Sequence, residues 1–175
     1  MEEVIALIDK IIDEHKSMFQ DLENLEQVAN DAEAIIGLDE AKETHMPGRA
    51  DNRESLVDLE QLLETIDKGI QAHFNREEVA LLNAFEQHGD RKLTLALHSL
   101  LTEHNNLTDR LAHSKQEVAT LIGGSLSRHI WEATAYDMRA YLGQTRKLFE
   151  EHAEMEQELL HTLRNELTGV PEGSE

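Results

Sequence analysis

Residues 70–81 read IQAHFNREEVAL, and the spacing within this stretch indicates the fold class of the chain. Ile70 and Leu81 place apolar side chains on one face of a predicted helix, and His73 and Glu77 lie on the same face between them. Glu77 follows His73 by four residues, so the two side chains differ by only about 40° of rotation around the helix axis. A histidine and a carboxylate therefore occupy positions where the apolar stripe calls for buried residues.

The same apolar spacing of three to four residues occurs in three further stretches of the chain. Predicted helices cover about 2–30, 55–88, 92–122 and 126–167. Glycines after the second and third helices predict short turns, which make neighbouring helices antiparallel. We therefore predict an all-α fold, an up-down-up-down antiparallel four-helix bundle that forms a single domain over residues 1–168. Residues 31–54 are predicted to form a long connection, and residues 169–175 a disordered tail.

Each predicted helix carries one histidine at a position where its apolar stripe calls for a buried residue. These histidines are His15, His73, His104 and His152. His73 and His104 lie at similar distances, about 20–24 Å, from the turn between their helices, which puts them at one level of the bundle. Glu156 follows His152 by four residues, as Glu77 follows His73. Because glutamate is rarely buried without a compensating charge, the four histidines and two glutamates are candidate ligands of a two-metal site.

The composition limits the other classes of function. The chain has 175 residues, of which 36 are acidic and 16 basic, for a formal net charge of −20 at pH 7. An acidic surface of this kind repels nucleic acids and anionic membranes. The absence of cysteine excludes disulfides, thiolate metal sites and cysteine nucleophiles. There is no signal-peptide pattern and no apolar run of membrane-span length, so we expect a cytoplasmic protein without nucleic-acid or membrane partners.

The candidate ligands and their flanking residues resemble those of the hemerythrin-like family, also described as His-His-Glu cation-binding domains. The resemblance covers essentially the whole predicted bundle and is carried by Glu14-His15, His73-Phe74-x-x-Glu77-Glu78, Glu103-His104-Asn105 and Glu151-His152-x-x-x-Glu156. It implies a non-haem di-iron centre held by His15, His73, Glu77, His104, His152 and Glu156. In such a centre Glu77 and Glu156 would bridge the two irons, with an oxo or hydroxo group as a third bridge. Mn or Zn could substitute for Fe in this ligand set.

One departure from the oxygen-carrying hemerythrins bears on function. Those proteins have a second histidine one turn away on the third helix and an aspartate five residues after the histidine of the fourth helix. Here these positions hold Leu100, Thr108 and Gln157. The set of four histidines and two glutamates resembles instead the branch that includes proteins of nitric-oxide stress and iron–sulfur repair and sensors of iron and oxygen. More coordination positions are then open, so we expect binding of, or reaction with, O2, NO or peroxide rather than simple O2 transport.

Two alternative functions are left open by the sequence. Iron storage or delivery, including iron–sulfur cluster repair, predicts iron that moves to an acceptor or redox protein. A metal-free helical interaction module predicts a stable bundle that needs no metal. No catalytic residue stands out beyond the candidate ligands, so the sequence does not decide whether the protein is an enzyme.

Two further groups of residues lie outside the candidate site. The apolar cluster of Ile130, Trp131 and Tyr136 at the start of the fourth helix is a candidate homodimer contact. The remaining histidines are expected to face solvent or to have structural roles. They are His45, His88, His98, His113, His129 and His161.

Overall fold

The computed structural model describes residues 1–42 and 50–169, with side chains for residues 1–30 and 55–169. Every regular element in these ranges is helical, which confirms the all-α fold class. In chain order the elements are α1 (Glu2–Lys42), α2 (Ala50–Arg76), a π-helical segment (Glu77–Leu81), α3 (Leu82–His88), α4 (Arg91–Leu101), α5 (Glu103–Ile122) and α6 (Arg128–Thr168). None of the helices in the described ranges combines the length and apolarity needed to cross a membrane.

These elements make up four helical rods. The first rod is α1, and the second is α2 with the π-helical segment and α3, which follow one another without a break. The third rod is α4 with α5, because Thr102 between them keeps a helical backbone (φ −65°, ψ −20°). The fourth rod is α6. α1 packs against α2 and α6, and α5 packs against the same two helices.

The first helix is longer than predicted, and the connection after it is shorter. The prediction placed a connection over residues 31–54, but α1 continues to Lys42 and α2 begins at Ala50. Residues 31–36 read DAEAII, a stretch that includes good helix formers, and a single glycine such as Gly37 costs a helix only about 1 kcal/mol. Residues 43–49, which include His45, and residues 170–175 of the predicted tail lie outside the described residues.

The turn between the second and third rods lies where the sequence predicts it, at Gly89 and Asp90. The Asp90 carboxylate caps α4 by accepting a hydrogen bond from the backbone N of Leu93 at 2.7 Å. A Cβ atom at Gly89 would lie only 2.9 Å from the backbone O of Phe85, so the close approach of the chain requires glycine here. The turn therefore joins the two rods with two residues outside the helices.

Ion pairs join the first and fourth rods at two widely separated levels. Asp9 Oδ1 contacts Arg164 Nη1 at 2.9 Å, and Glu26 Oε2 contacts Arg146 Nε at 2.7 Å. Surface pairs of this kind contribute at most about 1 kcal/mol each. They nevertheless show which levels of the two rods lie side by side.

The apolar core consists of two layers. The first layer contains Leu22, Leu25, Leu63, Ile70, Leu111 and Phe149 among its buried residues. The second layer contains Ile8, Ile11, Leu81, Phe85, Leu97 and Leu160. Along the third rod, Leu101 belongs to the second layer and Leu107 to the first, and His104 lies between them. On the other three rods, the buried residues likewise pass from one layer to the other close to the histidine. A thin level of polar side chains therefore separates the two layers.

Candidate metal centre

All six predicted ligands lie at this polar level. The four histidines, His15, His73, His104 and His152, each expose no more than 2% of their surface, and Glu77 and Glu156 expose none. On each rod, the buried face continues with apolar residues before and after the histidine. The packing of the two core layers therefore brings the six side chains together. The structure thus clusters every residue that the sequence singled out for this site.

A first group of potential ligand atoms comes from His15, His73, Glu77 and Glu156. His15 Nε2 lies 3.5 Å from Glu77 Oε1 and 3.2 Å from Glu156 Oε2. His73 Nε2 lies 2.5 Å from the same Oε1 atom of Glu77. The four ligand atoms lie within 4.8 Å of one another, close enough to surround one cation.

A second group comes from Glu77, His104 and His152. His104 Nε2 lies 3.2 Å from Glu77 Oε2 and 3.1 Å from His152 Nε2. Glu77 is therefore common to both groups, with one carboxylate oxygen facing each. This is the arrangement of a carboxylate that bridges two cations. Glu156 belongs to the first group only. Bridging roles for Glu77 and Glu156 both stay predictions.

The two core carboxylates are only partly compensated by the described residues. Both oxygens of Glu77 and both of Glu156 are buried and have no hydrogen-bond partner in the part of the chain that the structure describes. Their short contacts with imidazole nitrogens lack the alignment of hydrogen bonds. An uncompensated buried carboxylate costs several kcal/mol, whereas a cation bound to it removes that cost. The two groups could therefore hold metal ions, and their nitrogen and oxygen donors suit them for that role.

Without metal, protons supply part of the missing positive charge. Burial alone would lower the pKa of His15, but its contacts with Glu156 and Glu77 outweigh burial and raise it to about 9. Burial tends to raise the pKa of Glu77, yet its contacts with His104, His15 and His73 hold it well below the usual range. Burial, together with the charge of Glu77, raises the pKa of Glu156. The metal-free pocket thus favours an imidazolium at His15 beside an ionised Glu77.

Three glutamates outside the ligand set contact the outer nitrogens of three ligand histidines. Glu14 Oε2 lies 2.9 Å from His73 Nδ1, and Glu78 Oε1 lies 2.9 Å from Nδ1 of His104. Glu103 Oε2 lies 3.2 Å from His152 Nδ1. None of these three glutamates was among the candidate residues from the sequence. A signal was present, since each of the three glutamates directly precedes or follows a candidate ligand in the sequence.

Aromatic rings close one side of the second group. The ring of Phe74 stacks on the imidazole of His104, with 3.7 Å between centroids and 7° between planes. Phe149 lies next to Phe74, with 5.9 Å between ring centroids. Both phenylalanines are buried, so they hold the His104 ring in place and keep water away from this side.

The π-helical segment keeps Leu81 and Phe85 on the buried face that His73 and Glu77 share. The buried residues His73, Glu77, Leu81 and Phe85 follow one another at three successive four-residue steps. In a regular α-helix these twelve residues would rotate Phe85 about 120° away from His73. One extra residue accommodated in a π-helical turn removes about 100° of that rotation and keeps all four on one face. The three equal steps were the sequence signal for this segment, which the periodicity argument missed.

The other histidines in the described ranges lie away from this level. His88, His98, His113, His129 and His161 are all exposed. His113 forms a surface ion pair with Glu117 at 3.4 Å, four residues later. This pair has the same spacing as His73 and Glu77, so the spacing alone does not make a buried ligand pair.

Comparison of the chain with family models, with curated proteins and with solved structures found no match in any of the three.

Proposed function

We propose that this chain is a hemerythrin-like protein that holds two iron ions between its helical rods. The observation that carries the proposal is the position of Glu77, whose two oxygens face two separate groups of buried imidazoles. Three ligands in one group and four in the other, with one carboxylate shared, form the donor set of a two-metal site. The six residues are His15, His73, Glu77, His104, His152 and Glu156.

The topology that we propose is the up-down-up-down bundle. Contacts between neighbouring rods support it, because residue numbers fall along one rod as they rise along the next. The pairs Asp9–Arg164 and Glu26–Arg146 follow this rule for the first and fourth rods. Asp67 contacts Lys115 at 2.8 Å and Glu78 contacts His104 at 2.9 Å, so the second and third rods follow it as well.

Iron is favoured over other cations by the mixture of donors. Imidazole nitrogens bind iron, copper, nickel and zinc, whereas carboxylates favour harder ions such as manganese and iron. A shared carboxylate between two groups of imidazoles suits iron on both counts. Manganese and zinc are the substitutes that the same donors would accept.

The proposed activity is binding of, or reaction with, O2, NO or peroxide. Four and three protein ligands leave coordination positions open on both ions, and bound iron would supply redox and Lewis-acid chemistry there. The protein's own contribution is to fix the ligands, to share Glu77 between the ions and to exclude water. Phe74 and the two core layers exclude water, since they surround the site with buried apolar side chains.

Iron delivery is a second candidate that one observation favours. Glu78 and Glu103 contact buried ligand histidines, yet 52% and 47% of their side-chain surfaces are exposed. Half-exposed carboxylates next to a buried site offer cations a path between solvent and ligands. Rapid transfer of bound iron to a chelator or to an apo iron–sulfur acceptor would favour delivery over stable binding.

Iron content per chain, with an absorption spectrum before and after dithionite and air, tests the proposal. We expect about two irons in the wild-type protein and a near-ultraviolet band that bleaches on reduction and returns in air. Glu77→Gln should lose both ions because Glu77 belongs to both groups. Glu156→Gln should lose the ion of the first group preferentially.

His113→Ala is the matched control, because His113 belongs to an exposed histidine–glutamate pair with the same spacing as His73 and Glu77. This variant should keep its iron. A wild-type protein that takes up no iron and whose helix content does not change on chelation would contradict the di-iron proposal and favour a metal-free module.

A further inference from the structure

Three ligand histidines each contact a carboxylate through Nδ1. Each carboxylate comes from the rod that precedes the histidine's rod in the chain. Glu14 of the first rod contacts His73 of the second. Glu78 of the second rod contacts His104 of the third, and Glu103 of the third rod contacts His152 of the fourth. The contacts therefore follow one another around the four rods in chain order.

These contacts determine which nitrogen of a neutral ring carries the proton. An ionised carboxylate only accepts hydrogen bonds. Nε2 of His73 and His104 also lies close to an oxygen of Glu77, at 2.5 and 3.2 Å, but these contacts lack hydrogen-bond alignment. The three Nδ1 contacts have that alignment, so Nδ1 is the nitrogen that donates. The neutral ring then presents the lone pair of Nε2 on the opposite side, toward Glu77 and the two ligand groups. At His104 and His152, the two Nε2 atoms face each other at 3.1 Å. Two lone pairs at this distance repel each other unless a cation or proton binds them.

The Glu14 carboxylate is itself held in place. Arg76 donates from Nε to Oε2 of Glu14 at 3.1 Å, and its Nη2 lies 2.8 Å from Oε1. A guanidinium that contacts both carboxylate oxygens restricts their orientation. The contact with His73 thus rests on a carboxylate with little freedom to turn.

His15 differs from the other three histidines. Its Nδ1 atom is buried and has no hydrogen-bond partner among the described residues. The rod that precedes it in the circular order is α6, where Glu151 directly precedes His152 as Glu14 precedes His15 and Glu103 precedes His104. Glu151 is exposed, however, and no contact joins it to a ligand histidine in the described part of the chain.

We propose that Glu14, Glu78 and Glu103 are positioning residues that set the tautomer and ring orientation of His73, His104 and His152 before metal binds. His15 has no such partner among the residues whose side chains the structure describes, and it is oriented by its contacts with Glu77 and Glu156. This inference rests on the proposed metal site for its consequence, which is tighter metal binding. The orientation of the rings is a property of the metal-free protein.

Ring nitrogen chemical shifts of the metal-free protein test the orientation directly. In wild-type protein, at a pH where the rings are neutral, NMR should show His73, His104 and His152 with the proton on Nδ1. Each of three variants, Glu14→Ala, Glu78→Ala and Glu103→Ala, should allow the ring proton of its own histidine to occupy Nε2 as well as Nδ1. The tautomers of the other two histidines should not change. Glu151→Ala is the control, because Glu151 is also a glutamate that directly precedes a ligand histidine. This variant should not alter the tautomer of any of the three histidines.

Competition with a chromophoric chelator for Fe(II), without oxygen, tests the consequence for binding. Loss of one outer carboxylate should weaken metal binding by about 10- to 100-fold, with helix content unchanged. The Gln variants keep an acceptor oxygen and should lose less affinity than the Ala variants. Glu151→Ala should bind as the wild type does.

The two measurements separate this inference from the proposed function. Tautomers and affinities that do not differ between the three variants and Glu151→Ala would overturn the positioning role, even if the wild type binds two irons. Tautomers that respond as expected in a wild type that binds no metal would support the positioning role and overturn the metal site.

Discussion

His15 lies between the carboxylates of Glu77 and Glu156, at 3.5 and 3.2 Å, and its role would change if a metal ion bound at the proposed site. Without metal, its imidazolium supplies positive charge to two buried carboxylates. A bound cation would take over that charge, and His15 must then be neutral to act as a ligand. Metal binding below about pH 9 should therefore release a proton from this residue.

The stability of the metal-free protein should fall between about pH 6.5 and 9. The folded pKa of His15, about 9, is above its ordinary value of 6.5, so its contribution is complete below pH 6.5 and is lost as the pH rises through 9. The decrease in the free energy of unfolding should be of the order of 3 kcal/mol. Urea unfolding followed by circular dichroism at several pH values measures it. In His15→Gln the decrease should be clearly smaller; an identical profile would refute this account of His15.

The π-helical segment, Glu77–Leu81, is the element whose geometry the site depends on most directly. It absorbs one residue that a regular α-helix could not accommodate without rotating everything after it. The second rod can therefore contribute His73 and Glu77 to the site while Leu81 and Phe85 still pack in the second layer. A local irregularity of the backbone thus keeps the candidate ligands and the core residues of this rod on one face.

Deletion of Ala80 should be tolerated much better than deletion of Thr65, although both residues are exposed. Removing Ala80 converts the π-helical turn into an α-helical one and leaves Leu81 and Phe85 on the buried face. Removing Thr65 from the regular helix α2 rotates one flank by about 100° and exposes core residues. Urea midpoints of the two deletion variants provide the comparison. Equal losses of stability would show that the segment does not hold the extra residue.

Across the whole molecule, a polar level divides the core into two apolar layers. The layers supply the burial that folds the protein, while the level between them holds two carboxylates that oppose folding unless their charge is compensated. The proposed metal binding would therefore be linked to folding, because a cation that binds only the folded chain stabilises it.

Chelation should lower the unfolding midpoint of the metal-loaded protein. At a free metal concentration of one hundred times Kd, a single ion stabilises the folded state by about 2.7 kcal/mol. Thermal unfolding with Fe(II), without oxygen, and then with a chelator measures the difference. Leu111→Ala, at a fully buried position in the first layer, should lose about 2–5 kcal/mol in both states and serves as the control. Equal midpoints with and without metal would show that no cation binds at the polar level.

Much of the fold and of the candidate site could be predicted from residues that are close together in the chain. Helical spacing predicts the all-α class, the turn at Gly89 and the buried face of each rod. It also places six polar residues on those faces, because side chains three or four positions apart share a face in any α-helix. These inferences need only the local geometry of a helix, so they hold before the packing of the rods is known.

Other features required the packed structure. The sharing of Glu77 between two groups, and the contacts of Glu14, Glu78 and Glu103 with histidines of the next rod, depend on which rods are neighbours and at what axial offset. The π-helical turn was missed for a similar reason, whereas the helix formers of residues 31–36 were a local signal for the longer α1. Helix-forming preferences of a few tenths of a kcal/mol per residue are too weak to set such details. Packing energies of several kcal/mol between distant parts of the chain set them instead.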